Sequence, residues 1–342
     1  MGGFVFGARL GMLDADPAAA RALYGAPPSQ FLDVDGTRLH YRDQGQGPVL
    51  VLLHGSRGNL QQWDGWVHEL GGRFRIVRVD SLAHGLTGRD AHDDYGAQRR
   101  LLLLNGLLAM LHIDRFTLVG TSSGATEAVR YAVAYPERVE KLLLSTVPLR
   151  LPAQSRTARL DTLIFWLHDK VLGTTATNLF WRTFLRGIFG DARKVGPELV
   201  QRYRILNSLP GQQQRYRQRI AAWRGDGGPE RDYALAARVT APTLIQWGGA
   251  GPVLPRELFC DISAAFKGAQ VRVIVYPALG HMLVLEDPVS TAHDALAFIE
   301  GGAGGAGGEG GDTCAAATAG ASASAGAAAV TRSLASVAAS SR

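Results

Sequence analysis

Residues Phe116–Pro136 read FTLVGTSSGATEAVRYAVAYP, and this stretch decides the fold. An apolar run typical of a buried strand leads into GTSSG, from Gly120 to Gly124, and a helical pattern follows. The two glycines allow a tight strand-to-helix turn, which strains its central residue and exposes that side chain. The N-terminus of the following helix favours negative charge at the same point. The stretch therefore predicts Ser122 as a nucleophile, with a purely structural turn as the alternative.

A second turn, HGSRGN, follows the apolar run VLVLL at Val49–Leu53. Its glycine lets a backbone N–H point into the crevice at the carboxyl ends of the strands, where parallel sheets bind ligands. We interpret the N–H groups of Ser56 and Ser123 as an oxyanion hole, a pair of donors that stabilises a tetrahedral intermediate. The alternative is an ordinary junction between a strand and a loop.

A histidine follows the last apolar run, VRVIVYP, within the sequence ALGHM. A histidine in a loop at this edge of a sheet can take a proton from a serine on a central strand and return it to the leaving group. The chain has nine histidines, and His54 and His84 also lie near predicted strand ends. Chain order favours His281, because the nucleophile lies mid-chain and this histidine comes last.

Outside these turns the chain alternates β-rich runs with helical patterns, which is typical of a parallel sheet flanked by helices. Asp35-Gly36 is a favoured two-residue turn and predicts an antiparallel hairpin at one edge. The predicted strands are FLDV, RLHYRD, VLVLLHG, RIVRVD, FTLVG, KLLLS, TLIQWG and VRVIVYP. We therefore predict an α/β protein with a mainly parallel eight-stranded sheet and an inserted helical cap.

The cap is predicted between KLLLS and TLIQWG, where about ninety residues carry helical patterns and no clear strand. This segment is basic, since Arg150–Asp232 holds fifteen Lys and Arg against seven Asp and Glu in a chain of net charge +6. A solvated helical face and an anionic partner or lipid surface both account for the excess. The predicted divisions are a lead-in helix at 1–30, the core at 31–148 and 239–300, the cap at 149–238 and a disordered Gly/Ala/Ser tail at 301–342.

The remaining composition excludes several classes of protein. Two cysteines are too few for a disulfide framework or a zinc knuckle, and the chain has no phosphate-binding Gly-Lys loop and no dinucleotide fingerprint. No apolar run reaches the roughly 18 residues of a spanning helix. We expect a cytoplasmic protein with a small-molecule substrate, without nucleic acid, metal or organic cofactor. Contact with a membrane surface stays open as an alternative, and the oligomeric state is not predicted.

Taken together, these motifs resemble the α/β-hydrolase fold superfamily, in its capped serine-esterase-like branch. The resemblance covers residues 29–300 and includes FLDVDGTRLHYRDQGQGPVLVLLHG, RVDSLAHGLTGRD, LVGTSSGATEAVRYAVAYPERVEKLLL, PTLIQWGGAGPVLP and ALGHMLVLEDP. It implies Ser122 as nucleophile, His281 as base, Ser56 and Ser123 as oxyanion donors, and hydrolysis of an apolar ester through an acyl-enzyme. Epoxide hydrolases and haloalkane dehalogenases are similar, but they use an aspartate where this chain has serine.

The resemblance fails at the third catalytic residue. The family places an acid after the strand TLIQWG, and Gly251 occupies that position. The second position used in the family, within Ser145–Pro148, also lacks a carboxylate. Another carboxylate replaces the acid, or serine and histidine work as a weakened pair, or the chain is a silent ligand-binding relative. A cofactor-free carbon–carbon hydrolase and a peroxidase-like enzyme are further alternatives. The candidate replacement acids are Glu257, Asp261, Asp226 and Asp232.

Aromatic residues of the cap either line an apolar acyl pocket or pack the cap against the core. They are Phe165, Trp166, Phe180, Trp181, Phe184 and Phe189. The basic residues Arg215, Arg217 and Arg219 alternate in sequence and scatter around a helix, so they form no charged stripe. In the loop after RVD, Ala83 stands where the family has a glycine.

Overall fold

The structure is a computed structural model that describes residues 6–7, 10–150, 163–164, 166–172, 176–251, 253–255 and 258–301. The predicted tail lies outside the described residues except for Gly301, and so do Phe165 and Glu257. Within those ranges no helix has the length and apolar character needed to cross a membrane.

The described residues form one eight-stranded sheet of order β1-β2-β4-β3-β5-β6-β7-β8, which confirms the predicted class. The strands are β1 Ser29–Val34, β2 Thr37–Gln44, β3 Val49–Leu53, β4 Arg75–Val79, β5 Phe116–Thr121, β6 Val139–Ser145, β7 Thr243–Gly248 and β8 Val271–Tyr276. Strand β2 pairs antiparallel with both β1 and β4, and all other neighbours are parallel. The two-residue turn at Asp35-Gly36 joins the predicted edge hairpin.

Helices cover both faces of the sheet. They are α1 Pro17–Tyr24, α2 Asp64–Leu70, α3 Ala97–Met110, α4 Ser123–Ala134, α5 Asn178–Arg186, α6 Pro197–Asn207, α7 Gln212–Gly225, α8 Gly228–Ala236, α9 Leu258–Ala265, α10 Leu283–Glu286 and α11 Pro288–Ile299. Every residue of β5 and β7 is buried, because their apolar side chains meet helices on both sides. In β3, Val51 and Leu53 pack on the face that holds α3 and α4, whereas Leu50 and Leu52 pack on the face that holds α2 and α11.

The long connection from β6 to β7 contains α5 to α8 and a short π-helical segment, Leu167–Leu172. Its aromatic side chains pack against one another and against Met282 of the histidine loop. Of the two alternatives for these aromatics, packing therefore holds for Phe180, Trp181, Phe184 and Phe189. Trp166 is exposed instead.

Each of the four central strands β3, β4, β5 and β6 is followed by a non-glycine residue with positive φ. These residues are Arg57 (φ 59°), Ala83 (φ 68°), Ser122 (φ 51°) and Thr146 (φ 45°). Ala83 thus adopts the left-handed backbone that suits the glycine of the family pattern. Strained backbone of this kind concentrates at functional sites, and all four residues lie at the carboxyl edge of the sheet.

Candidate active site

The turn between β5 and α4 holds Ser122 in an unusual backbone conformation, with φ 51° and ψ −124°. The flanking positions require glycine for a second reason besides the turn, because a side chain at either position would clash with neighbouring backbone. A Cβ on Gly120 would lie 2.4 Å from the carbonyl oxygen of Gly124, and a Cβ on Gly124 would lie 2.4 Å from that of Leu53. The local sequence therefore places the serine hydroxyl at the carboxyl edge of the sheet.

His281 reaches this hydroxyl from the loop after β8. Its Nε2 atom lies 2.9 Å from Ser122 Oγ, although the two residues are 159 positions apart in sequence. The histidine is only 8% exposed. The distance and burial suit transfer of the serine proton to the imidazole.

Main-chain contacts from two other segments hold the histidine in place. The N–H of His281 donates to the carbonyl oxygen of Ile188 in the cap at 2.8 Å. The hydroxyl of Thr146, after β6, donates to the carbonyl oxygen of His281 at 2.9 Å. Thr146 is a positioning residue that sequence reasoning missed, since its partner is far away in the chain.

A buried carboxylate, Glu286, ties the histidine loop to the cap. Its Oε1 accepts the N–H of Gly280 at 2.9 Å. Its Oε2 accepts the N–H groups of Gly190 at 2.9 Å and Asp191 at 3.2 Å. Glu286 is therefore committed to three main-chain donors and positions the loop instead of the imidazole. The only sequence signal for it is an acidic residue after the apolar run MLVL.

The loop after β7 brings Gly251 against the histidine loop, at the position expected for the acid. A Cβ at this glycine would lie 3.1 Å from the backbone nitrogen of His281. The buried Nδ1 of His281 has no hydrogen-bond partner among the residues that the structure describes. Within the described ranges, the imidazole atom that an acid normally orients therefore has no acidic partner.

The replacement acids suggested by the sequence are engaged elsewhere or lie outside the described residues. Asp226 and Asp232 both pair with Arg130. Asp261 forms an ion pair with Arg150, whose Nε lies 3.0 Å from Asp261 Oδ2. These contacts leave none of the three beside the imidazole. The fourth candidate, Glu257, lies outside the described residues.

The loop after β3 approaches the nucleophile closely. A Cβ on Gly55 would lie 3.0 Å from Ser122 Cβ. His54 braces this loop, because its Nδ1 donates to the Gly55 carbonyl at 2.8 Å and its Nε2 accepts from the Ser81 N–H at 3.0 Å. Burial lowers the pKa of His54, which favours the neutral ring that these two bonds require.

A cavity of about 210 Å³ opens beside the nucleophile. The expected site residues Ser56, Ser122, Ser123 and His281 all line it. A second part of the wall is apolar and consists of Pro148, Ile220, Trp223 and Val253. A third part is charged and consists of Arg100, Glu127, Arg130 and Arg219. Sequence reasoning offered other cap aromatics for this wall as one of two alternatives, and it did not propose Trp223 or the charged residues as lining.

Burial lowers the pKa of the His281 imidazole to about 4. The ring is then mostly neutral, and able to accept a proton, from about one pH unit above that value. We predict that kcat/KM for an uncharged ester stays level from about pH 8 to about pH 5 and falls at lower pH with a midpoint near 4. Steady-state rates measured across this range, with circular dichroism to verify folding, check the prediction. An acid limb centred near neutral pH would contradict it.

Comparisons with known proteins agree with this architecture. The sequence profile of the alpha/beta hydrolase fold family matches residues 48–288. An uncharacterised protein of Mycobacterium tuberculosis is 29% identical over 279 residues, covering 77% of this chain and 79% of that protein. A 2-hydroxy-6-oxononadienedioate/2-hydroxy-6-oxononatrienedioate hydrolase of Paraburkholderia xenovorans is 27% identical over 274 residues, covering 76% and 91% of the two chains. The solved meta-cleavage product hydrolase of Pseudomonas fluorescens superposes with a TM-score of 0.67 at 21% identity, covering 80% and 97%.

Proposed function

Since the chain belongs to the alpha/beta hydrolase fold family, we propose that it is a serine hydrolase that cleaves a carboxylic ester through an acyl-enzyme. Family membership supports hydrolysis of a small molecule. The observation that carries the serine-hydrolase assignment is the 2.9 Å contact between Ser122 Oγ and His281 Nε2. Activity is reduced because no carboxylate of the described residues assists the histidine.

In the first half of the reaction, His281 Nε2 takes the hydroxyl proton while Ser122 Oγ bonds to the ester carbonyl carbon. The carbonyl oxygen becomes an oxyanion, and the N–H groups of Ser56 and Ser123 stabilise it. Collapse of the intermediate breaks the bond to the alcohol oxygen. That oxygen takes the proton from His281 and leaves as the alcohol.

In the second half, water attacks the acyl carbon and gives a proton to His281. The bond from the acyl carbon to Ser122 Oγ then breaks, and the serine oxygen recovers the proton. The products are a carboxylic acid and the free enzyme, so atoms and charge balance without a cofactor.

A second candidate reaction is hydrolysis of a carbon–carbon bond next to a ketone. The similarity to the Paraburkholderia xenovorans dienedioate hydrolase favours it. The serine, histidine and oxyanion donors would act on a ketone carbonyl in place of an ester. Parallel assays with a p-nitrophenyl ester and a vinylogous 1,5-diketone separate the two reactions, since the bond cleaved is read from the products.

Labelling with a fluorophosphonate tests the serine assignment, because such probes react with activated serines. We expect one label per chain in the wild-type protein and none in Ser122→Ala. The control is Ser263→Ala, which removes a hydroxyl on α9 that bonds to the Cys260 carbonyl away from the site, and its labelling should match the wild type.

Two outcomes contradict the proposal. Undiminished labelling of Ser122→Ala would assign the reaction to another residue. Failure of the folded wild-type protein to react with the probe or with either substrate class would identify a silent ligand-binding relative.

A further inference from the structure

The charged wall of the cavity is buried, which is unusual for so many ionised groups. Arg100 comes from α3, Glu127 and Arg130 come from α4, and Arg219 comes from α7 of the cap. We call these four residues the arginine cluster. Each is at most 5% exposed, so each requires either a partner within the protein or one supplied by a ligand.

One carboxylate in the cluster serves two guanidinium groups. Glu127 Oε2 lies 3.0 Å from Arg100 Nε and 3.3 Å from Arg219 Nη2. Two cations and one anion leave one positive charge within this group of three residues. His84 does not remove it, because the ring accepts a hydrogen bond from Arg219 Nη1 at 3.0 Å as a neutral group.

Arg219 is held in this place at an electrostatic cost. Burial, together with repulsion from Arg100, lowers the pKa of the Arg219 guanidinium to about 10. It remains protonated at neutral pH, and a second anion nearby would stabilise that form. The two buried guanidinium groups, Arg100 and Arg219, therefore favour a ligand that carries negative charge.

Arg130 adds a second, independent observation. Two of its nitrogens pair with Asp226 and Asp232. The third, Nη2, is buried and has no hydrogen-bond partner in the described part of the chain. Arg130 also lines the cavity, so the residue that carries this buried, unsatisfied donor borders the site.

We propose that the arginine cluster binds a carboxylate at the end of the substrate remote from the reacting carbonyl. This inference rests on the proposed function, since it names the substrate class of the same cavity. The one positive charge left among Arg100, Glu127 and Arg219 suits a carboxylate, whereas a phosphate monoester would bring close to two charges. Guanidinium groups also bind carboxylates in a two-pronged geometry.

The helix α4 sets the spacing between the two ends of the substrate. Glu127 and Arg130 follow Ser122 by five and eight residues, which corresponds to about 7 to 12 Å along a helix. The apolar part of the same wall includes Ile220, Trp223 and Val253. The expected substrate is therefore a half-ester or keto acid with an apolar spacer, which refines the sequence-based expectation of an apolar ester.

Binding to the Ser122→Ala protein tests this inference without turnover. Calorimetry compares monomethyl suberate with dimethyl suberate, which share the ester and the spacer but differ in the carboxylate. We expect the monoester to bind at least tenfold more tightly, as for a hydrogen-bonded buried charge. The preference should vanish when Arg219→Met is added to the Ser122→Ala protein. It should weaken when Arg219→Lys is added instead, because lysine keeps the charge but lacks the two-pronged geometry of the guanidinium group.

The matched control is Arg217→Met, since Arg217 is exposed on the same helix. It should leave the preference unchanged. Equal binding of the two suberates, or a preference that persists in folded Arg219→Met, would overturn the inference. An equally strong preference for a phosphate-ended ester would assign the site to oxyanions in general and also overturn it. Because the readout is binding, lack of hydrolysis in the wild-type protein would contradict only the proposed function.

Discussion

Replacing Gly251 with aspartate is expected to raise kcat for ester hydrolysis by about a hundredfold. Loss of the acid in serine proteases lowers kcat by about 10⁴, so restoring an acid recovers part of that factor. The glycine already lies beside the histidine loop, and its φ is not in the left-handed region. Full recovery is not expected, because the new Cβ would lie 3.1 Å from His281 N and the loop must shift slightly.

Steady-state kinetics of Gly251→Asp beside Gly251→Asn check this result. The asparagine variant has the same shape without the charge and should show no comparable gain. The aspartate should also move the acid limb of the pH profile upward from about 4, since a carboxylate stabilises the imidazolium and raises the pKa of His281. An unchanged kcat and pH profile in a folded Gly251→Asp protein would contradict the prediction, and would mean either that another carboxylate already serves or that position 251 is not the position of the acid.

Replacing His281 with alanine is expected to lower kcat by about a thousandfold. The imidazole is the only base within hydrogen-bond reach of Ser122 Oγ in the described ranges. The loss should be smaller than the roughly 10⁶-fold effect seen when a complete triad loses its histidine, because no acid of the described residues contacts His281 Nδ1.

Steady-state assays of His281→Ala measure this loss of kcat. The rate of fluorophosphonate labelling should fall together with kcat. The control is His293→Ala, because His293 is an exposed histidine that contacts Glu69 far from the cavity. Its kcat should stay within twofold of wild type, as expected for a surface substitution. Retention of a tenth or more of the wild-type kcat by His281→Ala would assign the base to another group.

Much of the fold was predictable because its signals are local. The apolar runs that become β3, β5 and β7 are continuous, as strands covered on both faces must be. The long helical insert between β6 and β7 was likewise predicted, because this segment is too long for an ordinary loop between two strands. The cap helix α7 was not predicted, because its polar sequence QQQRYRQRIAAWRG has no apolar face to reveal a helix.

The residues of the candidate site also fall into two groups, those proposed from the sequence and those found only in the structure. Ser122 and His281 were proposed from the sequence, and their roles stay predictions until the variants are measured. The sequence also placed Gly251 where the acid is expected. It did not reveal Thr146 or Glu286, whose partners come from distant segments.

The sequence by itself predicted the strands, the strained serine turn and the glycine at the expected acid position, since each depends on residues that are neighbours in the chain. Only the tertiary structure decided that Arg219 is buried while Arg217, two residues away on the same helix, is exposed. The difference depends on which face of α7 meets the core, and that is set by packing across the cavity. The physical reason is that backbone conformation follows local chemistry, whereas burial and pairing of charges require elements from different parts of the chain.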